Sequence, residues 1–297
     1  MSLPGTPFDN KRYWETRLRE HYSLAGVGYL RLGRRYNEWM YRVRGHVFDR
    51  VVQRLNSVNG ERSTVNGWSG AKVLDVGAGT GFYVERWLRM GATVTGLDLT
   101  EVAVRELSRC FPAANFVQAD IGAPLGGRPL GERLLPPGSF DAVSAFDVLF
   151  HIVDDAAYAR AFQNIAALLR PGGWFLWSDN FLRHPTERVA HQVSRSLAES
   201  TAAVEAAGFQ VIERVPMFVL MNYPADTTSK PARWGWTAMV APAALAEPIG
   251  WALGALLYPL EKALVNRLKE SPSTEVMVCR KQGSGIRGQG VRADPDP

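Results

Sequence analysis

The segment that most constrains this chain is Val73-Leu74-Asp75-Val76-Gly77-Ala78-Gly79-Thr80-Gly81. An apolar run that reads as a strand enters three glycines at alternate positions and then a helix. Glycine permits a tight turn and removes side chains where a ligand must approach the backbone. The helix that follows offers unpaired N–H groups and the positive end of its dipole. A second apolar run closes on Gly96-Leu97-Asp98, which puts Asp98 23 residues after Asp75. An acid at the tip of a second strand, at about that distance, is placed to accept the hydroxyls of a ribose. The pattern reads as a βαβ unit with a nucleoside-containing cofactor across its strand C-termini.

The glycine spacing narrows the cofactor. A nicotinamide fingerprint reads GxGxxG, whereas this run is DxGxGxG, with Asp75 ahead of the first glycine. A carboxylate there is poorly placed against a pyrophosphate and suits a cofactor that carries an ammonium group. That argues for S-adenosylmethionine over NAD.

Short apolar runs alternate with helical stretches from residue 71 onward, as in a parallel sheet. The expected strands are Lys72–Val76, Thr93–Leu97, Asn115–Gln118, Asp141–Ala145, Trp174–Ser178, Gln210–Val215 and Thr274–Arg280. The expected helices between them are Gly81–Met90, Glu101–Cys110, Ala156–Leu169 and Leu197–Ala207. The predicted fold is α/β: a doubly wound, seven-stranded, mostly parallel sheet with helices on both faces. Residues 1–57 read as an N-terminal helical cap, with Tyr29, Leu32, Tyr36, Trp39, Met40, Val43, Val47 and Val51 at helical spacing. The cofactor-binding core spans 58–215 and opens on an Asn/Ser/Gly-rich linker over 57–70. An insertion over 216–272 precedes the last core strand (273–282). A Gly/Pro-dense loop covers 122–138, and the tail 283–297 reads as disordered.

Composition bounds the partners. With 46% hydrophobic and 21% charged residues the chain is ordinary globular material. Cys110 and Cys279 lie far apart without CxxC spacing, which argues against a zinc site or a disulfide framework. With no apolar signal region at the N-terminus, the expected location is cytoplasmic. The net charge is +5, and residues 1–57 hold eleven Lys/Arg against five Asp/Glu. That face reads either as a solvated helical surface or as an attractor for an anionic substrate, a nucleic acid or a membrane. The apolar stretch 239–265 contains three prolines, two glutamates and Lys262. It falls short of the roughly 20 apolar residues of a membrane span. It reads as a buried or lid helix, or as an interfacial helix.

Asp75–Gly81 resembles motif I of the class I S-adenosylmethionine-dependent methyltransferases. Further segments are similar in the expected order: Gly96-Leu97-Asp98, Ala119-Asp120-Ile121, Phe140-Asp141-Ala142-Val143 and Leu168-Leu169-Arg170-Pro171-Gly172-Gly173. The resemblance covers residues 71–215 and implies the following roles. Asp75 and the Gly77-Ala78-Gly79 backbone, closed by Gly81, would hold the methionine end. Asp98 would bind the ribose diol, Leu99 would pack on the adenine, and Asp120 and Ile121 would meet the adenine edge. Phe146 would supply a backbone contact near the sulfonium. For Asp120 a helix cap is the competing reading.

The acceptor is less constrained. Phe146-Asp147-Val148-Leu149-Phe150 departs from the Asn/Asp-Pro-Pro-aromatic turn of enzymes that methylate planar amino groups, and no cysteine is placed for attack on a pyrimidine. Nucleic acid therefore recedes as a partner. The run Asp147–Asp155 resembles the subgroup acting on quinones, sugars and other small metabolites. His151, just past strand 4, would be the general base for a hydroxyl acceptor, or would pack the loop. Asp154 and Asp155 read as first-turn helix residues. No metal is expected, although Asp147 with Asp179 and Asn180 forms an alternative Mg²⁺ set. His184 and His191 could enter from the strand-5 side. Trp14 and its aromatic neighbours in the cap would line the pocket. The insertion, with Trp234, Trp236 and Trp251, would form the opposite wall. An apolar wall facing an arginine-rich one suggests an amphiphilic or anionic small-molecule acceptor. The leading expectation is a small-molecule methyltransferase acting at oxygen. The alternatives are a protein or nucleic-acid methyltransferase and a non-catalytic S-adenosylmethionine-binding protein.

Overall fold

The computed structural model describes residues 8–58, 67–124 and 135–283. The expected 57–70 linker and 122–138 loop fall largely outside these residues, as does the tail beyond Gly283. The strands are β1 (Lys72–Val76), β2 (Thr93–Asp98), β3 (Asn115–Gln118), β4 (Phe140–Ala145), β5 (Leu169–Asp179), the short β6 (Glu187–Val189) and β7 (Gln192–Ser194), β8 (Phe209–Pro216) and β9 (Glu275–Lys281). Seven of them form one sheet in the order β3-β2-β1-β4-β5-β9-β8. β1 to β5 are parallel, and β9 runs antiparallel to both β5 and β8. This is the expected seven-stranded, mostly parallel α/β sheet. The strand order reverses between β1 and β4, so a crevice opens beyond their C-terminal ends.

The central strands are buried on both faces, which is why they read as near-continuous apolar runs. Along β5 the period of two is visible. Phe175 and Trp177 enter one core with Phe162 and Phe209, while Trp174 and Leu176 enter the other with Phe48 and Trp87. β5 starts five residues earlier than expected. Leu169 pairs with Phe140 before a register shift, and Gly172 at φ +70° carries the chain through the Arg170–Gly173 turn. The hairpin β6–β7 was not anticipated; its strands are three residues each and β6 is wholly exposed, so no apolar alternation marks it.

Eight α-helices are described: α1 (Asn10–Glu20), α2 (Gly33–Val58), α3 (Phe82–Arg89), α4 (Glu101–Cys110), α5 (Asp155–Leu168), α6 (Leu197–Ala206), α7 (Lys230–Val240) and α8 (Glu247–Arg267). Side chains fix their starts. Thr100 caps α4, Asp154 accepts from the Ala157 N–H at 2.7 Å to cap α5, and Ser196 with Glu199 closes a capping box on α6. Asp155, in the first turn of α5, pairs with Arg188 and Arg195. α2 buries Tyr36, Met40, Val43, Val47 and Val51 against the sheet side of the core.

The insertion folds as α7 and α8, and α8 docks on α2. Trp39 meets Trp251 at 6.1 Å and Tyr258 at 5.3 Å. The Glu247 carboxylate accepts from the Arg34 and Arg35 backbone N–H groups at 2.8 and 2.7 Å. The buried Glu261 accepts from Val219, Leu220 and Met221. Among the described residues no helix is long and apolar enough to cross a membrane.

Candidate active site

A cavity lies in the crevice between β1 and β4. Gly77, Ala78, Gly79, Asp98, Leu99, Asp120, Ile121, Phe146 and His151 all line it. The strands deliver them: the loop after β1 brings the glycines, the tip of β2 brings Asp98, and the turn after β4 brings Phe146 and His151. Gly77 must be glycine on two counts. Its φ is +69°, and a Cβ there would lie 2.3 Å from Val148 Cγ2. The cap closes the top with Asn10, Trp14, Leu18, Val27 and Tyr41. The Tyr22 hydroxyl donates to the Gly79 carbonyl at 3.1 Å, tying the cap to the glycine loop.

Two expected residues stand apart from the lining. Gly81 is the left-handed N-cap of α3, where a Cβ would meet Phe111 Cε2 at 2.3 Å, so it serves loop-to-helix packing. Asp75 lies beneath the loop, because its register partner on β4 is Ser144. The Ser144 hydroxyl donates to Asp75 Oδ1 at 2.6 Å and accepts from the Trp87 indole at 3.0 Å. Burial pushes the Asp75 carboxyl up to about 7.

Asp98 is buried and already held. Oδ1 accepts from the Thr100 N–H at 2.9 Å and its hydroxyl at 2.8 Å, and Oδ2 accepts from the Gly79 N–H at 2.9 Å. A carboxylate offers about four acceptor positions, so these three bonds leave one, on Oδ2. Burial nonetheless raises its pKa above the ordinary carboxylate value. Asp120 is not a helix cap: its Oδ1 accepts from the Gly122 N–H at 2.8 Å in a local turn.

His151 Nδ1 sits 3.0 Å from the His191 carbonyl oxygen. A carbonyl can only accept, so Nδ1 carries the hydrogen and Nε2 holds the lone pair. Trp14 meets the ring edge-on at 4.8 Å, and Asn10 Nδ2 donates to the His151 carbonyl at 2.7 Å. Burial pushes the imidazole down to about 4. His191 therefore acts through its backbone, and its ring stacks on Tyr13 at 5.5 Å. His184 does not enter the cavity; its Nε2 lies 3.2 Å from the Ala225 carbonyl in the insertion.

The Mg²⁺ alternative is not assembled. Asp147 Oδ2 takes Arg44 Nε at 2.8 Å and Nη2 at 2.6 Å, and Oδ1 takes the Ser178 hydroxyl at 3.0 Å. Asn180 spends its amide on Ser194 at 2.8 Å. Asp179 is buried outside the lining, its carboxyl pushed up to about 7 by burial. Asp147 does line the cavity, at a left-handed φ of +58°. Beside it the Arg44 Nη1 and the Tyr83 hydroxyl are buried with no hydrogen-bond partner among the described residues. Tyr83 stacks on Phe146 at 4.2 Å. Arg44 was missed in the sequence, although it is a charge set inside the apolar stripe of α2.

The insertion is not a wall of this cavity. No residue of 217–272 lines it; α8 packs on the Trp39 side of α2, away from Tyr41, which does line it.

Comparison with known proteins agrees with this geometry. Residues 73–173 match a family model described as a methyltransferase domain. A ubiquinone biosynthesis O-methyltransferase of Bordetella bronchiseptica is 36% identical over 118 residues, 39% of this chain and 46% of that protein. One from Xanthomonas campestris pv. campestris is 40% identical over 104 residues, 35% of this chain and 41% of that protein. The chain thus spans less than half the length of these relatives. The crystal structure of magnesium protoporphyrin IX methyltransferase from Synechocystis PCC 6803 superposes with a TM-score of 0.53 at 14% identity, over 95% of this chain and 100% of that one. That likeness is one of fold. Strand order, glycine loop and matched segment agree: residues 73–173 match a methyltransferase domain and sit in a sheet of the order described above.

Proposed function

We propose that this protein transfers a methyl group from S-adenosylmethionine to a hydroxyl of a small, amphiphilic acceptor in the cytoplasm. The observation that carries the reading is His151, whose Nε2 lone pair is fixed by the Nδ1–His191 bond at the wall of the cavity. The named relatives, which methylate oxygen by their names, support it.

The residues present fit the cofactor. Gly77, Ala78 and Gly79 bare their backbone, Asp98 keeps one acceptor position for a ribose hydroxyl, and Leu99 with Ile121 gives an apolar seat for the adenine. Asp75 steadies the loop from below, through Ser144. When bound, S-adenosylmethionine supplies an electrophilic methyl on a good leaving group.

The chain's task is alignment, exclusion of water and disposal of one proton. With an acceptor hydroxyl aligned on that methyl, His151 Nε2 would take the proton that the oxygen gives up on methylation. A histidine near 4 stays neutral throughout the physiological range. Taking a proton from a free phenol of pKa about 10 would be uphill by ~8 kcal/mol. The proton therefore moves with or after the methyl, when the oxygen has become strongly acidic. A screen of phenolic and other hydroxyl acceptors with isotopically labelled S-adenosylmethionine tests the reading. Label in a methyl ether is the expected product; label only in protein or nucleic acid would overturn it.

A further inference from the structure

Single exposed leucines are ordinary on a protein surface, whereas a contiguous set marks a contact face. Six of the ten large apolar side chains exposed among the described residues fall within 234–260: Trp234, Leu245, Ile249, Trp251, Leu256 and Leu260. Trp234, Leu245 and Leu256 are each at least three-quarters exposed. On α8, Ile249, Ala252, Leu256 and Leu260 recur at three- and four-residue spacing and form one outward stripe.

The acids of this region point away from that stripe. Glu247 caps the start of α2, and Glu261 is fully buried against the Val219–Met221 backbone. The edge is net cationic, with Arg34, Arg35, Arg42 and Lys262 against Glu38 and Glu247. Arg34 and Arg35, which share Glu38, flank the N-terminal end of α8. Arg42 lies 4.0 Å over Trp39, which itself packs on Trp251, and Lys262 is exposed two residues after Leu260.

From this complementarity we propose that the outer face of α8, with Trp234 and Leu245, docks on an anionic lipid bilayer. The leucines enter the headgroup–acyl boundary, the tryptophans sit at its level, and Arg34, Arg35, Arg42 and Lys262 meet the lipid phosphates. The helix lies in the surface and does not span.

The test is co-sedimentation of the full chain with phosphatidylcholine vesicles, with and without about one-third phosphatidylglycerol. The expected result is salt-sensitive binding to the anionic vesicles and a blue shift of tryptophan emission. Leu256→Ser with Leu260→Ser, at positions 75% and 53% exposed, should keep the native melt and lower partitioning at least ~10-fold. Arg34→Gln and Arg35→Gln should each lower it ~5-fold at low salt. Equal binding to neutral vesicles, or unchanged binding by the leucine variant, would overturn the proposal. So would a dimer in solution that Leu256→Ser dissociates, since the occupant would then be a second copy of the chain.

Discussion

Asp147→Asn is the most informative single substitution, because it cuts the tie between the cap and the tip of β4. The Arg44–Asp147 contacts of 2.8 and 2.6 Å join side chains that are only 7% and 20% exposed. Burial alone would lower the Arg44 pKa, yet Asp147 more than offsets it and holds the guanidinium above its ordinary value. Arginine cannot shed its proton at any accessible pH, so Asp147→Asn leaves a buried cation without a counter-charge. Breaking such a pair costs about 3–5 kcal/mol, and the partial exposure of Asp147 points to the lower end. At roughly 2–4 °C per kcal/mol the melting temperature should fall by about 6–12 °C. Arg44→Met should cost less, about 1–2 kcal/mol, since methionine keeps the contacts with Tyr41 and Phe218 and the remaining carboxylate reaches water. The double variant should therefore be more stable than the sum of the singles implies, by about 2 kcal/mol or more. Urea melts of all four proteins measure this coupling. Additivity within ~0.5 kcal/mol would show that the pair is screened and that the cap is held elsewhere.

Other substitutions address the cavity and its protons. Asp98→Ala should weaken S-adenosylmethionine binding ~10- to 150-fold by calorimetry, the loss of one charge-assisted hydrogen bond; wild-type affinity in a folded variant would remove the ribose assignment. His151→Ala should lower turnover ~10²- to 10⁴-fold with cofactor affinity retained, and an unchanged rate would leave alignment alone as the mechanism. In the wild type, the acid limb of turnover should fall near pH 4, where His151 titrates, and not near the ordinary 6.5; a limb at 6.5 assigned to His151 by its loss in the variant would contradict the burial argument. Asp75 gives a stability profile. Unfolded, it ionises near 3.8, but folded it keeps its proton to about 7. Between those values the folded state binds more protons, so stability falls as pH rises and levels off above 7, by up to about 4 kcal/mol. Asp75→Asn, which can still accept from Ser144, should flatten that slope in urea melts across pH 4–8.

The parts legible in the sequence are those where one local rule decides. The glycine loop, the Asp98 tip and the β1–β5 order follow from a strand–turn–helix pattern that few other folds use. Element ends came within about a residue where a cap marks them, as at Thr100 and Ser196. β5 was read short because a paired bulge at Arg170–Gly173 resembles a turn. The site was harder, because its surroundings are made by distant segments. That Asp75 sits under the loop depends on a register with Ser144, 69 residues away. That Asp147 is an ion-pair partner and not a metal ligand depends on Arg44 in the cap. Spacing within β4 holds no trace of it. The one local signal was a charge within the buried stripe of α2. The insertion misled for a related reason: its length and tryptophans marked a binding element, but not which face of the cap it binds.

Helix α2 accounts for why a chain with this cavity carries so large an insertion. One side of the helix presents Tyr41 to the cavity and Arg44 to Asp147 in its wall, and the other presents Trp39 to Trp251 and Tyr258 of α8. A cap of two helices resting only on the strand tips would bury little area and would open readily. Here its long helix is clamped from three directions. Arg44 binds Asp147 at the end of β4, and Arg86 of α3 pairs with Asp49 at 2.7 Å. On the far side Glu247 and the Trp39–Trp251–Tyr258 cluster lock it to α8. α8 in turn is anchored through Glu261 to the backbone that leaves β8. α2 thus carries both Trp39, packed on α8, and Tyr41, which lines the cavity.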